Sequence, residues 1–308
     1  MIYNNVLEAI GDTPMIRLNR MRDPDGADIL VKYEGLNVGG SIKTRTAYNM
    51  ICDVEERGVI NKDTIIVEPT SGNQGIGLAL VGAIRGYRTV IVMPDSVSEE
   101  RRMLVEHYGA EVRLVHDPGN IGECIEECLK TVMRMAEEDP RVFIPQQFEN
   151  PANPMVHRHH TALEIMAQVA GPIHGFCSGI GTGGSITGIG EVLKAQNPGI
   201  VIWAVEPENA AILAGGTIGT HLQMGIGDGL IPGNLNTDIF EDVCVISDED
   251  AIGTAKDLAR LEGLMCGISS GTNVAAAQRL AKKLGKGKTV VTVLPDTAER
   301  YFSTPLFG

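Results

Sequence analysis

The chain is predicted to be an α/β protein whose mostly parallel sheets are covered by helices. Three observations carry that reading. Short apolar runs alternate with helical stretches almost from end to end. Most of the runs are apolar throughout rather than at every second position, as in strands buried on both faces. Three glycine-rich turns stand at or close to strand-to-helix handovers, where open α/β sheets gather their ligands.

In chain order, Ile29–Tyr33 is the first apolar run, and Thr44–Arg57 follows with Ala47, Met50, Ile51 and Val54 at helical spacing. The strand Thr64–Val67 then leads into an apolar helix, Gln74–Arg85. Thr89–Met93 and Glu111–Val115 flank a charged helix, Glu99–His107. Ile121–Met135 repeats apolar positions every three or four residues, and Val142–Pro145 is a short run behind it. Asn150-Pro151-Ala152-Asn153-Pro154 is the best candidate for a domain junction. Beyond it lie helix Met155–Val169, strand Ile173–Cys177, helix Ile186–Ala195 and strand Val201–Val205. Gly215–Asn236 is glycine-rich without periodicity and predicts loops along a cleft; Val243–Ile246, Asp248–Leu261, Asn273–Leu284 and Thr289–Leu294 complete the alternation. The pattern holds strands enough for two sheets.

At 308 residues the chain can bury a large core, and 43% apolar with 21% charged residues is the balance of an ordinary water-soluble protein. A net charge of -13 argues against nucleic acid and against an acidic membrane surface. No apolar run approaches the ~20 residues of a membrane span, and Met1–Glu8 has no signal-peptide character, so a cytoplasmic setting is expected. The six cysteines have no framework spacing and are expected to be reduced. Cys124 and Cys128 share a helical stripe with Ile121, Ile125, Leu129 and Val132, which predicts core packing rather than metal ligation. In His157-Arg158-His159-His160, successive helical positions diverge by about 100°, so the cluster is expected to form a solvated or interface face, not a metal site.

Gly179-Ile180-Gly181-Thr182-Gly183-Gly184-Ser185 follows a strand and opens a helix. Its main-chain N–H groups and the helix N-terminus form an anion site, with hydroxyls from Thr182, Ser185 and Thr187 around it. The same string satisfies the dinucleotide pattern, with Glu206 where a ribose acid would stand, so a nicotinamide oxidoreductase competes with a phosphate monoester binder. Thr70-Ser71-Gly72-Asn73-Gln74-Gly75 closes another strand; four polar side chains with glycines at 72 and 75 fit a docked carboxylate better than a simple cap. Lys43 follows Gly39-Gly40-Ser41 at a third handover, and a lysine in an apolar cleft becomes an amine able to form an imine and to take a proton. Lysine, phosphate loop and carboxylate loop together are the equipment for amino-acid chemistry with pyridoxal phosphate (PLP).

From Leu7–Pro14 to Leu294–Tyr301 the chain resembles the cysteine synthase and cystathionine β-synthase family of PLP enzymes, of the tryptophan-synthase-β type. Beyond the three loops the resemblance rests on Gln147–Pro154, Gly225–Pro232 and Gly267–Gly271. It implies fold type II: a smaller domain over 38–148, a larger one over 1–37 plus 149–308, and the active site in the cleft between them. By the same resemblance Lys43 carries PLP and acts as acid and base, and Gly181, Thr182, Gly183, Gly184 and Ser185 hold the phosphate. Asn73 meets the ring's phenolic oxygen, and Ser269, or else its neighbour Ser270, faces the pyridine nitrogen. Thr70, Ser71, Gly72, Asn73, Gln74 and Gln147 grip the substrate carboxylate. The implied reaction on a β-substituted L-alanine runs through α-aminoacrylate, with sulfide as co-reactant. A homodimer and a serine acetyltransferase C-terminal tail are the implied partners; a non-catalytic member that only binds a partner could dispense with Lys43.

The chain departs from the family where Gly225–Pro232 carries Asp228 in place of the usual alanine. An acid beside the reacting Cβ repels hydrosulfide and can deprotonate water, which points to L-cysteine breakdown to sulfide and L-serine. The other reading is a cap on glycine N–H groups in an ordinary cysteine synthase. Gln74, Gly39 and Ile42 are milder departures. Neither the regulatory module nor the haem-binding extension of some cystathionine synthases is expected.

Overall fold

The computed structural model describes residues 2–119 and 121–308. Ten strands form two sheets among the described residues. In chain order they are β1 Met15–Arg17, β2 Asp28–Tyr33, β3 Ile65–Pro69, β4 Arg88–Pro94, β5 Glu111–Val115, β6 Val142–Phe143, β7 Gly175–Gly179, β8 Val201–Pro207, β9 Asp242–Ile246 and β10 Thr289–Leu294. The six-stranded sheet runs β1-β2-β10-β7-β8-β9 and the four-stranded sheet β5-β4-β3-β6. Every pairing is parallel except β1 with β2.

The α-helices are α1 Lys43–Glu56, α2 Asn73–Arg85, α3 Glu99–His107, α4 Ile121–Glu138, α5 Ala152–Val156, α6 Ala162–Gln168, α7 Gly184–Gln196, α8 Asp248–Asp257 and α9 Ile268–Leu284. Alternate residues of the strands feed separate cores. Ile29, Val31, Val205 and Val290 pack on one face of the larger sheet, with α8 and α9, while Leu30, Ala204, Val291 and Val293 pack on the other with α6 and α7. Ile66, Ile91 and Met93 pack under α1 and α2, and Ile65, Val67, Val90 and Val92 against Cys124, Cys128 and Val132 of α4. Two covered faces explain why these strands read as unbroken apolar runs.

Several boundaries move, each for a local reason. β1 is a three-residue antiparallel edge too short to leave a pattern in sequence. The expected strand Ile173–Cys177 starts at Gly175 and runs to Gly179; a Cβ at Gly175 would stand 2.8 Å from Leu284, so glycine serves close packing there. The expected Val142–Pro145 keeps only two residues in the ladder. α9 begins five residues early, at Ile268, and takes in Gly271, which lies against Ala251 O, where a Cβ would come within 1.9 Å. Helices expected over 155–169 and 248–261 both contain π turns, at His157–Thr161 and Leu258–Glu262.

Leu129 of the expected cysteine stripe is exposed, and the side chain of Ile121 lies outside the described residues. The solvated face expected of 157–160 holds only for His159 and His160. His157 is buried in the π turn, Nδ1 3.0 Å from Thr161 Oγ1. Among the described residues no cluster fits a metal ion, and no helix is long and apolar enough to cross a membrane.

Candidate active site

The carboxyl ends of β3, β6, β7 and β10 converge, and the segments leaving them wall a cleft. It is lined by Lys43, Thr70, Ser71, Asn73, Gln74, Gln147, Gly181, Thr182, Gly183, Gly184, Ser185, Asp228 and Ser269. Of the residues that the resemblance assigned to cofactor, substrate carboxylate or chemistry, only Gly72 stands off the lining. It has φ +140°, and a Cβ there would stand 2.2 Å from Arg101 Cδ, so only glycine lets the loop pass over that buried side chain. Ser269 faces the cleft, and Ser270 is buried away from it.

Lys43 is the first residue of α1. The turn before it uses left-handed glycines, Gly39 at φ 74° and Gly40 at φ 71°. Arg300 clamps that turn by donating to Gly39 O and Gly40 O, and Ile42 N donates to Pro295 O at 2.8 Å, tying it to the end of β10. Lys43 Nζ reaches Thr182 Oγ1 at 3.4 Å. Burial lowers the ammonium pKa, and the facing Asp228 charge opposes that in part. The Asp228 carboxyl is pushed up by burial, with Lys43 and His221 pulling it back.

The phosphate-loop candidate has Gly183 at φ 76° and opens α7 directly. Its glycines are sterically required: a Cβ at Gly181 would meet Gly225 O at 2.5 Å and one at Gly184 would meet Asn153 Oδ1 at 1.9 Å. Asn153 ties this loop to its neighbour, donating 2.8 Å bonds to Thr182 Oγ1 and to Gln147 O. Neutral His157, whose pKa is held well below the usual value by burial, lies 3.4 Å from Ser185 Oγ.

In the other loop, Thr70 Oγ1 accepts from Gly72 N at 3.1 Å. Asn73 Nδ2 donates to Asp296 Oδ2 at 2.6 Å, leaving Oδ1 buried and without a partner; both amide atoms of Gln74 are buried and unpaired. Gln147 is set by Glu68, whose carboxylate accepts N–H bonds from Gln146 at 2.9 Å and Gln147 at 2.8 Å. Gln146 takes φ 58° to make that turn. Burial raises the Glu68 carboxyl to about 8 against those two bonds.

Sequence reasoning missed Asn153, Asn273, Glu68 and Asp296. A polar Asn273 inside an alanine-rich helix and an acid inside β3 were the available signals. Asn273 accepts from Gly179 N at 2.7 Å and donates to Val293 O at 2.8 Å, joining β7 to β10 at the cleft wall. Glu206 accepts N–H bonds from Leu213 and Ala214 at 3.0 and 3.1 Å and is not part of the cleft lining, so the ribose-acid role does not fit it.

The residues present suit a phosphorylated pyridine aldehyde. The glycine cradle at a helix N-terminus, a buried amine across the cleft and the unpaired Gln74 amide supply donors and acceptors for that shape and its substrate. Fold and site thus define a PLP-dependent enzyme of fold type II. The chain belongs to the pyridoxal-phosphate dependent enzyme family, whose model matches residues 6–296. Within it the relationship is to cysteine synthases: that of Staphylococcus aureus strain Mu50 is 47% identical over 306 residues, covering 99% of this chain and 97% of that protein. Among solved structures, O-ureido-L-serine synthase has 41% identity and a TM-score of 0.93, covering 100% of this chain and 96% of that one. A hydrogen sulfide-producing enzyme from Fusobacterium nucleatum has 38% identity and a TM-score of 0.92, covering 97% and 100%. The protein is a PLP-dependent β-replacement or β-elimination enzyme of the cysteine synthase family.

Proposed function

We propose that this enzyme breaks L-cysteine down to sulfide and L-serine, and that Asp228 directs water to the reacting carbon. Gly181–Ser185 and the start of α7 hold the cofactor phosphate, Asn73 meets its ring oxygen and Ser269 its ring nitrogen. Thr70, Ser71, Asn73, Gln74 and Gln147 take the substrate carboxylate, with Gly72 shaping their loop. Bound PLP supplies the electron sink that makes the Cα proton removable. Lys43 Nζ anchors the cofactor and takes that proton, a role that its lowered pKa supports.

The observation that carries the proposal is the placement of Asp228. Its Oδ2 lies 3.4 Å from where a Cβ on Gly181 would be, on the cleft wall and within the electrostatic reach of Lys43. Two like charges ~4 Å apart repel by about 4 kcal/mol at an effective dielectric constant of 20, so hydrosulfide is disfavoured there and water is not. A carboxylate with a raised pKa is also a stronger base toward water. Sulfur would leave Cβ as hydrosulfide, the water oxygen would bond to Cβ as Asp228 takes a water proton, Lys43 would return the proton to Cα to give L-serine, and the proton on Asp228 would leave with hydrosulfide as hydrogen sulfide.

The 47% identity to a cysteine synthase favours a second reading, synthesis of L-cysteine from an O-activated serine and sulfide. L-cysteine supplied alone, with sulfide and serine measured together, separates the two. The proposal predicts equal amounts of both products and a drop of about 10²-fold or more in Asp228→Asn, on the scale of losing a general base. Equal sulfide release by both proteins would remove Asp228 from the reaction.

A further inference from the structure

Asp296 follows β10 and is fully buried, standing behind Asn73 rather than on the cleft lining. Its Oδ2 accepts from Asn73 Nδ2 at 2.6 Å and from Tyr301 OH at 2.7 Å, with Arg101 Nη2 at 3.9 Å. Its Oδ1 has no partner and is turned toward Gly267, where a Cβ would stand 2.2 Å from it. The backbone around Asp296 also binds the other two walls of the site. Ser41 pairs with it across a β-bridge, Ile42 N donates to Pro295 O, and Gly267 N donates to Asp296 O at 3.3 Å. One residue thereby contacts the lysine segment, the serine segment and the Asn73 amide.

We propose that Asp296 is a positioning residue that locks the Asn73 amide with its nitrogen able to donate toward the cofactor's ring oxygen. The inference rests on the reading that Asn73 meets that oxygen. A carboxylate only accepts hydrogen bonds, whereas an asparagine amide offers a donor at one end and an acceptor at the other. Flipping Asn73 would bring its oxygen against Oδ2, two acceptors at hydrogen-bond distance with Asp296 sealed from water. The nitrogen is therefore held on this side, and its second N–H remains for the ring oxygen. The chain settles by charge what is otherwise an arbitrary choice between two amide orientations.

The test uses holoenzyme and reads the visible absorbance band of the bound cofactor and its dissociation constant. Asn73→Ala shifts the band if Asn73 meets the ring; an unchanged band overturns that reading and the inference with it. Asp296→Asn is expected to shift the band in the same direction and to weaken cofactor binding about tenfold, the scale of one charge-assisted hydrogen bond. In the Asn73→Ala background Asp296→Asn is expected to add nothing. A band unmoved by Asp296→Asn, or moved equally in both backgrounds, overturns the inference and leaves the reading of Asn73 standing. Should Asp296→Asn fail to fold, the wild-type holoenzyme labelled with ¹⁵N-asparagine serves instead. Asn73, identified by its loss in Asn73→Ala, is expected to show two distinct, slowly exchanging amide protons; a fast-exchanging pair would contradict the lock.

Discussion

At the scale of single residues, Glu68 carries an electrostatic cost that two N–H bonds offset only in part. Its carboxyl is ordinary at 4.5 in the unfolded chain and raised to about 8 in the fold. The folded form therefore binds more protons across that window, and stability falls as pH rises through it. A tenfold difference in proton affinity between the folded and unfolded chain is worth about 1.4 kcal/mol. Thermal melts from pH 5 to pH 8 should slope downward in wild type and more gently in Glu68→Gln. The variant should also be less stable at pH 5, since its amide nitrogen would confront a backbone N–H. Equal slopes would mean that Glu68 is ionised throughout. The same residue bears on function, because its bonds hold Gln147 at the cleft.

At the scale of elements, α1 is fixed to the chain around it by charge as well as by its apolar face. Arg45 pairs with Glu34 at 2.8 Å and with Glu164 of α6 at 2.6 Å, and Lys32 of β2 reaches Glu164 at 2.7 Å. Glu34 and Lys32 are fully buried, and Thr13 Oγ1 donates to Glu34 at 2.6 Å. This network lies behind the helix whose first residue is Lys43. Arg45→Ala strands Glu34 and leaves Glu164 to Lys32 alone, and should cost about 3–5 kcal/mol in urea unfolding. Arg45→Lys should recover only part of it, since an ammonium cannot reproduce the guanidinium fork that serves both acids. A loss below ~1 kcal/mol for Arg45→Ala would show that water reaches the cluster. Nothing local in the sequence revealed these charges as buried: Arg45 and Glu164 are 119 positions apart, and each alone reads as a solvated helix residue. Gly184 makes the same point from the other side. Its place in a glycine string was legible, but its contact with Asn153 appears only once α5 packs on α7.

At the scale of the whole molecule, the alternation of strands and helices was readable because both sheets are covered on both faces. What periodicity could not show was the antiparallel β1 edge, the two π turns, or the burial of His157 against Ser185 in one of them. The loops of the site were legible as glycine handovers, and the resemblance ordered them into a cleft. Their supports, Asp296, Glu68, Asn153 and Asn273, were not, because each acts across a long sequence separation on a partner no local pattern identifies.

The account turns on a cofactor joined covalently to Lys43 where three separate loops meet. Borohydride reduction of the holoenzyme, followed by proteolysis and mass spectrometry of the tagged peptide, tests it most directly. The reduced pyridoxyl group should be found on the peptide containing Lys43 and should be absent from Lys43→Ala treated in the same way. A tag on another lysine, or none on a protein that has bound the cofactor, would contradict it.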